Sequence, residues 1–380
     1  MRASPLLTLF CFFSLTCNAQ WVKPLSKPVS YEWAHAGWDG NSGRLDIGTD
    51  TTSVIFIGDV MMHIAQIEKA RSVRGYEFDS YFKNISSLLQ SADIAVANME
   101  FTLAGKPYSG YPAFSAPESY PDYAVKGGVD VFLTANNHIL DKGKEGAERT
   151  MSHYRRMEAA NEIKYTGCYI DSADFEKRYP LIIRHGGMVI ALINFTYGTN
   201  LSVPGEFPKV SRMRHDEISE AIQRAKDSKA DFIIALPHWG TEYVLTHSPL
   251  QKALADRMIG EGVDAVIGTH PHVVQDTSFK NGVPVAYSLG NAISNMSAPN
   301  TRLEMAVRLR MTKDFLGRTK MLSPEIVFLW CSLPGRLCDD FTVIQVKDFI
   351  AKRALWRDPS DYDNMVKTYA RVREATGIID

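Results

Sequence analysis

Six short apolar runs in this chain each end abruptly in an acidic, amide or imidazole residue. They are Val54-Ile55-Phe56-Ile57-Gly58-Asp59, Ile94-Ala95-Val96-Ala97-Asn98-Met99-Glu100, Val131-Phe132-Leu133-Thr134-Ala135-Asn136-Asn137-His138, Ile233-Ile234-Ala235-Leu236-Pro237-His238, Val266-Ile267-Gly268-Thr269-His270-Pro271-His272 and Val285-Ala286-Tyr287-Ser288-Leu289-Gly290-Asn291. Runs of this length are too short for helices. Being apolar at consecutive positions, they read as strands buried on both faces. In open α/β sheets, ligands gather beyond the carboxyl ends of the strands. Strand ends delivering Asp, Glu, Asn and His therefore predict one shared polar site, built from residue types that suit divalent metal ions.

Composition sets the outer bounds. At 380 residues and 45% hydrophobic, the chain can bury one large core or two smaller ones. A balance of 42 basic against 43 acidic residues gives no electrostatic footprint for nucleic acid. Residues 1–19 read as a signal peptide: Arg2 supplies positive charge, Leu6 to Leu15 is a short apolar stretch, and Cys17-Asn18-Ala19 resembles a cleavage site before Gln20. The expected destination is the periplasm or cell surface, with lipid attachment through Cys17 as the alternative. Residues 20–50 read as an N-terminal arm or linker, 51–330 as the main domain, and 331–380 as a partly helical C-terminal extension.

Within the domain, helical and strand patterns alternate. Ile64 to Val73, Phe78 to Gln90, Gly143 to Asn161, Asp216 to Lys229 and Pro249 to Glu261 read as helices, the third capped by Asp141. Ile182 to Ile193 carries a hairpin signature around His185-Gly186-Gly187, making His185 a turn residue. Past Asn291, Met305, Val307, Leu309 and Met311 alternate with other residues, as in a strand paired antiparallel with Glu325 to Trp330, and Asp361 to Glu374 reads as a helix. The alternation predicts a layered α/β domain. Export permits disulfides. Cys331 and Cys338 flank a Pro334-Gly335 turn, and stand either as a local disulfide or as two loop thiols, with Cys168 left over.

Among ten histidines, His138, His238, His270 and His272 directly follow apolar runs, whereas His35, His153, His185, His215 and His247 do not. Set beside Asp59, Glu100 and Asn137, they form a mixed nitrogen and oxygen donor set that accepts manganese, iron or zinc. Enough ligands are present for two ions, which clamp attacking and leaving oxygens in phosphoryl-ester hydrolysis. Glu242 stands four residues after His238, as a contact for substrate or metal or as a solvated loop carboxylate. Asn291 orients a substrate or His272, or serves a turn. Tyr108 to Pro112 reads as a loop bordering a cleft whose aromatic rings stack on a sugar or pack on the surface.

Taken in order, these motifs resemble the bacterial capsule-synthesis CapA family, named for poly-γ-glutamate capsule production and related to calcineurin-like metallophosphoesterases. The likeness covers residues 51–330. It implies a four-layer αββα metallophosphoesterase-like sandwich with mixed sheets, and a centre of two metal ions. By that resemblance Asp59 and His272 would serve the first metal, Asn137, His238 and His270 the second, and Glu100 the bridging position. Asp59 and His138 would be the catalytic pair, His138 as general acid or as a polarising group on a phosphate oxygen. Asn98, His63, Glu242 and Asn291 are the candidates for substrate contact. Two departures stand out. The phosphoesterases carry a histidine where this chain has Met61, His63 being the nearest substitute, and an aspartate where it has Glu100. The expected activity is a metal-dependent hydrolase of phosphoester or polymer linkages in capsule or envelope biosynthesis. The alternative is a non-catalytic component that binds polymer, or other capsule-synthesis proteins, in the inherited cleft.

Overall fold

A computed structural model describes residues 49–380. The expected signal peptide, Cys17 and nearly all of the arm lie outside the described residues. Two mixed sheets dominate the fold, one of eight strands and one of six. In the larger, the strands Asp50–Val60, Ile94–Met99 and Val131–Leu133 are parallel neighbours, and Leu303–Lys313 pairs antiparallel beside the first. In the smaller, Phe232–His238, Ala265–Ile267 and Val283–Ala286 are likewise parallel neighbours. The six runs thus fall into two adjacent triplets, one per sheet.

Side-chain alternation within these strands builds the layers. Val54, Phe56, Ile94 and Val96 meet Ile234, Leu236 and Ile267 in a core between the sheets. Ile55, Ile57, Ala95 and Ala97 face the opposite way, onto Phe82, Met151 and Tyr154 of the helices Asp79–Lys83 and Gly143–Ala159. Ile233 and Ala235 pack on Ile222 and Met258 of the helices His215–Asp227 and Pro249–Gly260. Helix, sheet, sheet, helix is the resulting order. The expected four-layer sandwich with mixed sheets is present, and double-sided burial accounts for the continuous apolar runs.

The C-terminal segment is woven into this body. Strand Glu325–Ser332 crosses position 330, Thr342–Gln345 extends the large sheet, and helix Pro359–Thr376 buries Met365 and Val372 in the inter-sheet core. Among the described residues no helix is long and apolar enough to cross a membrane.

Several local expectations are corrected. The first helix stops at Lys69, and Arg71–Ser72 and Gly75–Tyr76 form a small hairpin where Gly75 takes a positive φ. The second breaks into Asp79–Lys83 and Ser86–Gln90; between them Asn84 donates to Thr342 Oγ1, a tertiary contact invisible to local periodicity. All three described cysteines are free thiols. Cys331 turns into the helix-side core with its sulfur on the Ser294 carbonyl, and the Pro334-Gly335 turn closes through Gly335 N–H to Cys338 O instead.

Candidate metal centre

Both strand triplets end at the same edge of the sandwich, and backbone contacts there lock the sheets together. Asp59 N–H donates to Gly290 O at 3.0 Å, and Val60 bridges to Ile293. This closeness explains the glycine before Asp59: a Cβ at Gly58 would lie 1.9 Å from Gly290 O. His270 and His272 flank Pro271 with φ of 99° and 58°. Such left-handed conformations cost non-glycine residues on the order of 1–3 kcal/mol each, and persist where the surrounding structure imposes them for a site.

The imposed geometry turns both rings toward buried carboxylates. His272 Nδ1 lies 3.4 Å from Asp59 Oδ2, and its Nε2 lies 3.9 Å from Glu100 Oε1. Glu100 Oε1 is also 3.7 Å from His238 Nε2 and 3.9 Å from His138 Nε2. Glu100 is therefore the hub. Glu100, His238 and His270 offer donor atoms within 4.8 Å of one another, as do Asp59, Glu100 and His272. The two sets share Glu100, which is the arrangement a bridging carboxylate requires.

Three features test whether these residues fit metal ions. Both Glu100 oxygens and His270 Nδ1 are buried without a hydrogen-bond partner, although buried polar groups are nearly always satisfied. The Thr269 hydroxyl lies 2.9 Å from His238 Nδ1, where it can accept that nitrogen's proton. His238 Nε2 and Asn137 Oδ1 lie 2.8 Å apart, so the two atoms can serve one ion. Finally, protonation states suit a cation. Burial, then neighbouring histidines, hold His238 well below the ordinary imidazole range and bring His270 down to about 3. Burial, then the charge of Asp59, raises Glu100 well above the usual carboxylate range. His272 is the exception, since Asp59 and Asn291 outweigh its burial and raise it. A buried carboxyl group that cannot ionise easily without a counter-charge, set beside the lowered imidazoles of His238 and His270, has a use for positive charge at the centre. The residues fit.

His138 stands beside this group, with Nδ1 2.7 Å from Asp141 Oδ2. Asp141 is not the expected helix cap. The cap position belongs to Lys142 and carries no side-chain cap bond, because the Asp141 carboxylate is taken by His138, by Phe114 N–H and by Asn200 Nδ2. The pairing fixes the imidazole tautomer and leaves Nε2 facing the centre.

Residues 53–296 match the family described as Bacterial capsule synthesis protein PGA_cap. The chain belongs to that family. Among its relatives, the Bacillus anthracis capsule biosynthesis protein CapA is 28% identical over 265 residues, covering 66% of this chain and 61% of its own length. The PGA biosynthesis protein CapA of Bacillus subtilis (strain 168) is 26% identical over 302 residues, covering 76% of each. The match thus spans about three fifths of the B. anthracis protein and about three quarters of the B. subtilis one. Of solved structures, Haemophilus influenzae NAD nucleotidase aligns over 84% of this chain and 62% of its own at 13% identity and a TM-score of 0.45, too loose a superposition to inform the chemistry.

In this PGA_cap member, several expected roles shift. Asn98 is buried, and its Nδ2 donates to Asp59 Oδ1 at 2.7 Å, which orients the aspartate. Asn291 is buried with Oδ1 2.9 Å from His272 Nδ1, and of its possible roles the one observed is orientation of that ring. His63, the expected nearest substitute, falls in none of the donor groups found at the centre. Its Nδ1 is occupied by Gln66 and by Asn295 N–H, its ring packs edge-on against Phe114, and the Met61 side chain is buried in the helix-side core. Burial lowers His63 to about 4. Glu242 is exposed and groups with His270 and His272.

Residues given no site role in the sequence reading include Thr269, Asn200 and Tyr197. Tyr197 and Asn200 follow strand Met188–Thr196, another apolar run with a polar ending; the hairpin signature at its start masked that ending.

Proposed function

We propose that this PGA_cap protein is an exported, divalent-metal-dependent hydrolase that cleaves phosphoester or related linkages in capsular or envelope polymer. The observation that carries this reading is Glu100, buried and unpartnered between His238 and His272, with the His138–Asp141 pair beside it. Glu100, Asn137, His238 and His270 would hold one ion, and Asp59, Glu100 and His272 a second, with manganese, iron or zinc as candidates. When bound, such ions would polarise the scissile ester and lower the pKa of water.

The chain's own groups complete the chemistry. Asn98 and Asn291 hold Asp59 and His272 in register. Asp141 keeps the proton of His138 on Nδ1, so that Nε2 can exchange a proton with the leaving oxygen or hydrogen-bond a phosphoryl oxygen. Burial of Asp59, Glu100 and His238 excludes bulk water and strengthens each of these interactions.

Reconstitution of the purified protein with each metal, elemental analysis, and turnover of bis(4-nitrophenyl) phosphate test this. Metal retention with turnover abolished in His138→Ala supports it; no retained metal, or undiminished turnover in that variant, sinks it. A second reading, a non-catalytic component that binds polymer or capsule-synthesis partners, is favoured by Met61, which leaves the Asp59 side short of a donor. Retained metal without turnover, together with stable co-purification of envelope-synthesis proteins, would select it.

A further inference from the structure

Tyrosines from three separate loops lie around the centre, two of them against its histidines and the third one ring removed. Tyr197, 46% exposed, lies 4.5 Å from the His270 ring and is nearly parallel to His238 at 6.4 Å. Tyr243, 45% exposed, lies 6.3 Å from His272. Tyr111, 75% exposed, packs its edge on Phe114, which in turn covers His138 and His63. Soluble proteins seldom gather exposed aromatic rings at one opening unless a ligand covers them.

The backbone shows that this display is imposed. Tyr243 has φ of 65° and is pinned by its N–H to Pro271 O, the residue between the two histidines. A bulky residue in the left-handed region persists only where the surrounding structure overrides its preference. Next to it, Glu242 presents an exposed carboxylate.

Charge narrows the ligand. The exposed carboxylate that acts on both Tyr197 and Tyr243 is Glu242. A carboxylate held against these two rings would meet Glu242 at close range. A neutral sugar ring suits both features: its C–H face lies on tyrosine faces, and its hydroxyls donate to the carboxylate.

We infer that Tyr111, Tyr197, Tyr243 and Glu242 form a subsite for a neutral sugar residue beside the scissile linkage, so that the polymer handled here carries glycan units. This rests on the hydrolase reading for its setting, but its test does not need turnover. Isothermal titration of metal-loaded protein with cello-, chito- and maltotetraose, and with poly-γ-glutamate, measures it directly. At least one neutral tetrasaccharide is expected to bind, insensitively to salt. Tyr197→Ala and Tyr243→Ala should each weaken it about tenfold, while Tyr243→Phe retains it. Unchanged melting temperatures of the variants guard against misfolding. The inference is overturned by no neutral saccharide binding, by binding that survives both alanine variants, or by tighter, salt-sensitive binding of poly-γ-glutamate. Intact bis(4-nitrophenyl) phosphate turnover alongside any of these would sink the sugar subsite alone; saccharide binding without turnover or metal would sink the hydrolase alone.

Discussion

Asp141 Oδ2 lies 2.7 Å from His138 Nδ1, with the carboxylate further fixed by Phe114 N–H at 2.9 Å. The aspartate hydrogen-bonds no member of the metal sets and its charge is the last of the influences on Glu100, so its main effect should reach the chemistry through His138. Asp141→Asn keeps the shape and removes the charge. Turnover is expected to fall on the order of 10- to 100-fold, with metal content unchanged by elemental analysis. An equal loss of metal and activity would show that Asp141 supports the site structurally and does not tune His138.

Glu100 presents the opposite case, a group that harms the metal-free protein. Its folded pKa is raised, so folding forces a carboxylate either to take up a proton or to stay charged beside Asp59. Glu100→Gln imitates the neutral form. Melting in chelator should therefore rise relative to the native protein at pH 7. With manganese or zinc the order should reverse: ligand at a hundredfold excess over Kd stabilises by about 2.7 kcal/mol, and the variant should forfeit most of that increment. A variant less stable than the native protein in chelator would contradict this account.

Legibility in the sequence followed the range of the forces involved. The strands were visible because burial on both faces leaves continuous apolar runs such as Ile55-Phe56-Ile57. The ligand types were visible because strand ends converge at one edge. Asp141 was misread because an aspartate just before a helix has a local explanation, and the His138 pairing that overrides it is set by where the ring must point. The thiols of Cys331 and Cys338 were ambiguous for a related reason: strand pairing turns Cys331 into a core that no turn signal reports. Asn98 and Asn291 were seen as site residues, but only the buried geometry separates holding a ligand in place from touching a substrate.

The approach of the two sheets predicts an intolerance at Gly58. Its would-be Cβ meets backbone, which cannot rotate away as a side chain can. Gly58→Ala should destabilise by roughly 3 kcal/mol or more, read by urea denaturation. Gly260→Ala is the control, because that glycine ends helix Pro249–Gly260, has nothing within 4 Å of its added methyl and has no positive φ. It should be neutral or stabilising by up to about 1 kcal/mol. Equal effects at the two sites would refute the claim that strand-to-loop contact fixes Gly58.

Behind Asp59 lies a second buried carboxyl group, Glu304, whose Oε1 accepts Gly58 N–H at 2.6 Å while Oε2 has no partner. Burial, reinforced by Asp59 and opposed by the Gly58 N–H, moves it from 4.5 up to about 8. The folded protein then carries a proton on Glu304 that the unfolded chain has released, across the interval between those two values. Stability must fall as pH rises through that interval, by at most about 1.4 kcal/mol per pH unit for this group, and level off above it. Glu304→Gln cannot titrate and retains an acceptor for Gly58. The melting temperature of the variant minus that of the native protein, both in chelator, should therefore climb from about pH 5 to about pH 8 and then flatten. His63, His238 and His270, with lowered values, impose the opposite slope below the ordinary imidazole range. They are present in both proteins, so their contribution cancels in the difference. A difference that is flat, or that declines as pH rises, would show that Glu304 is ionised in the folded state and that the field of Asp59 is screened from it.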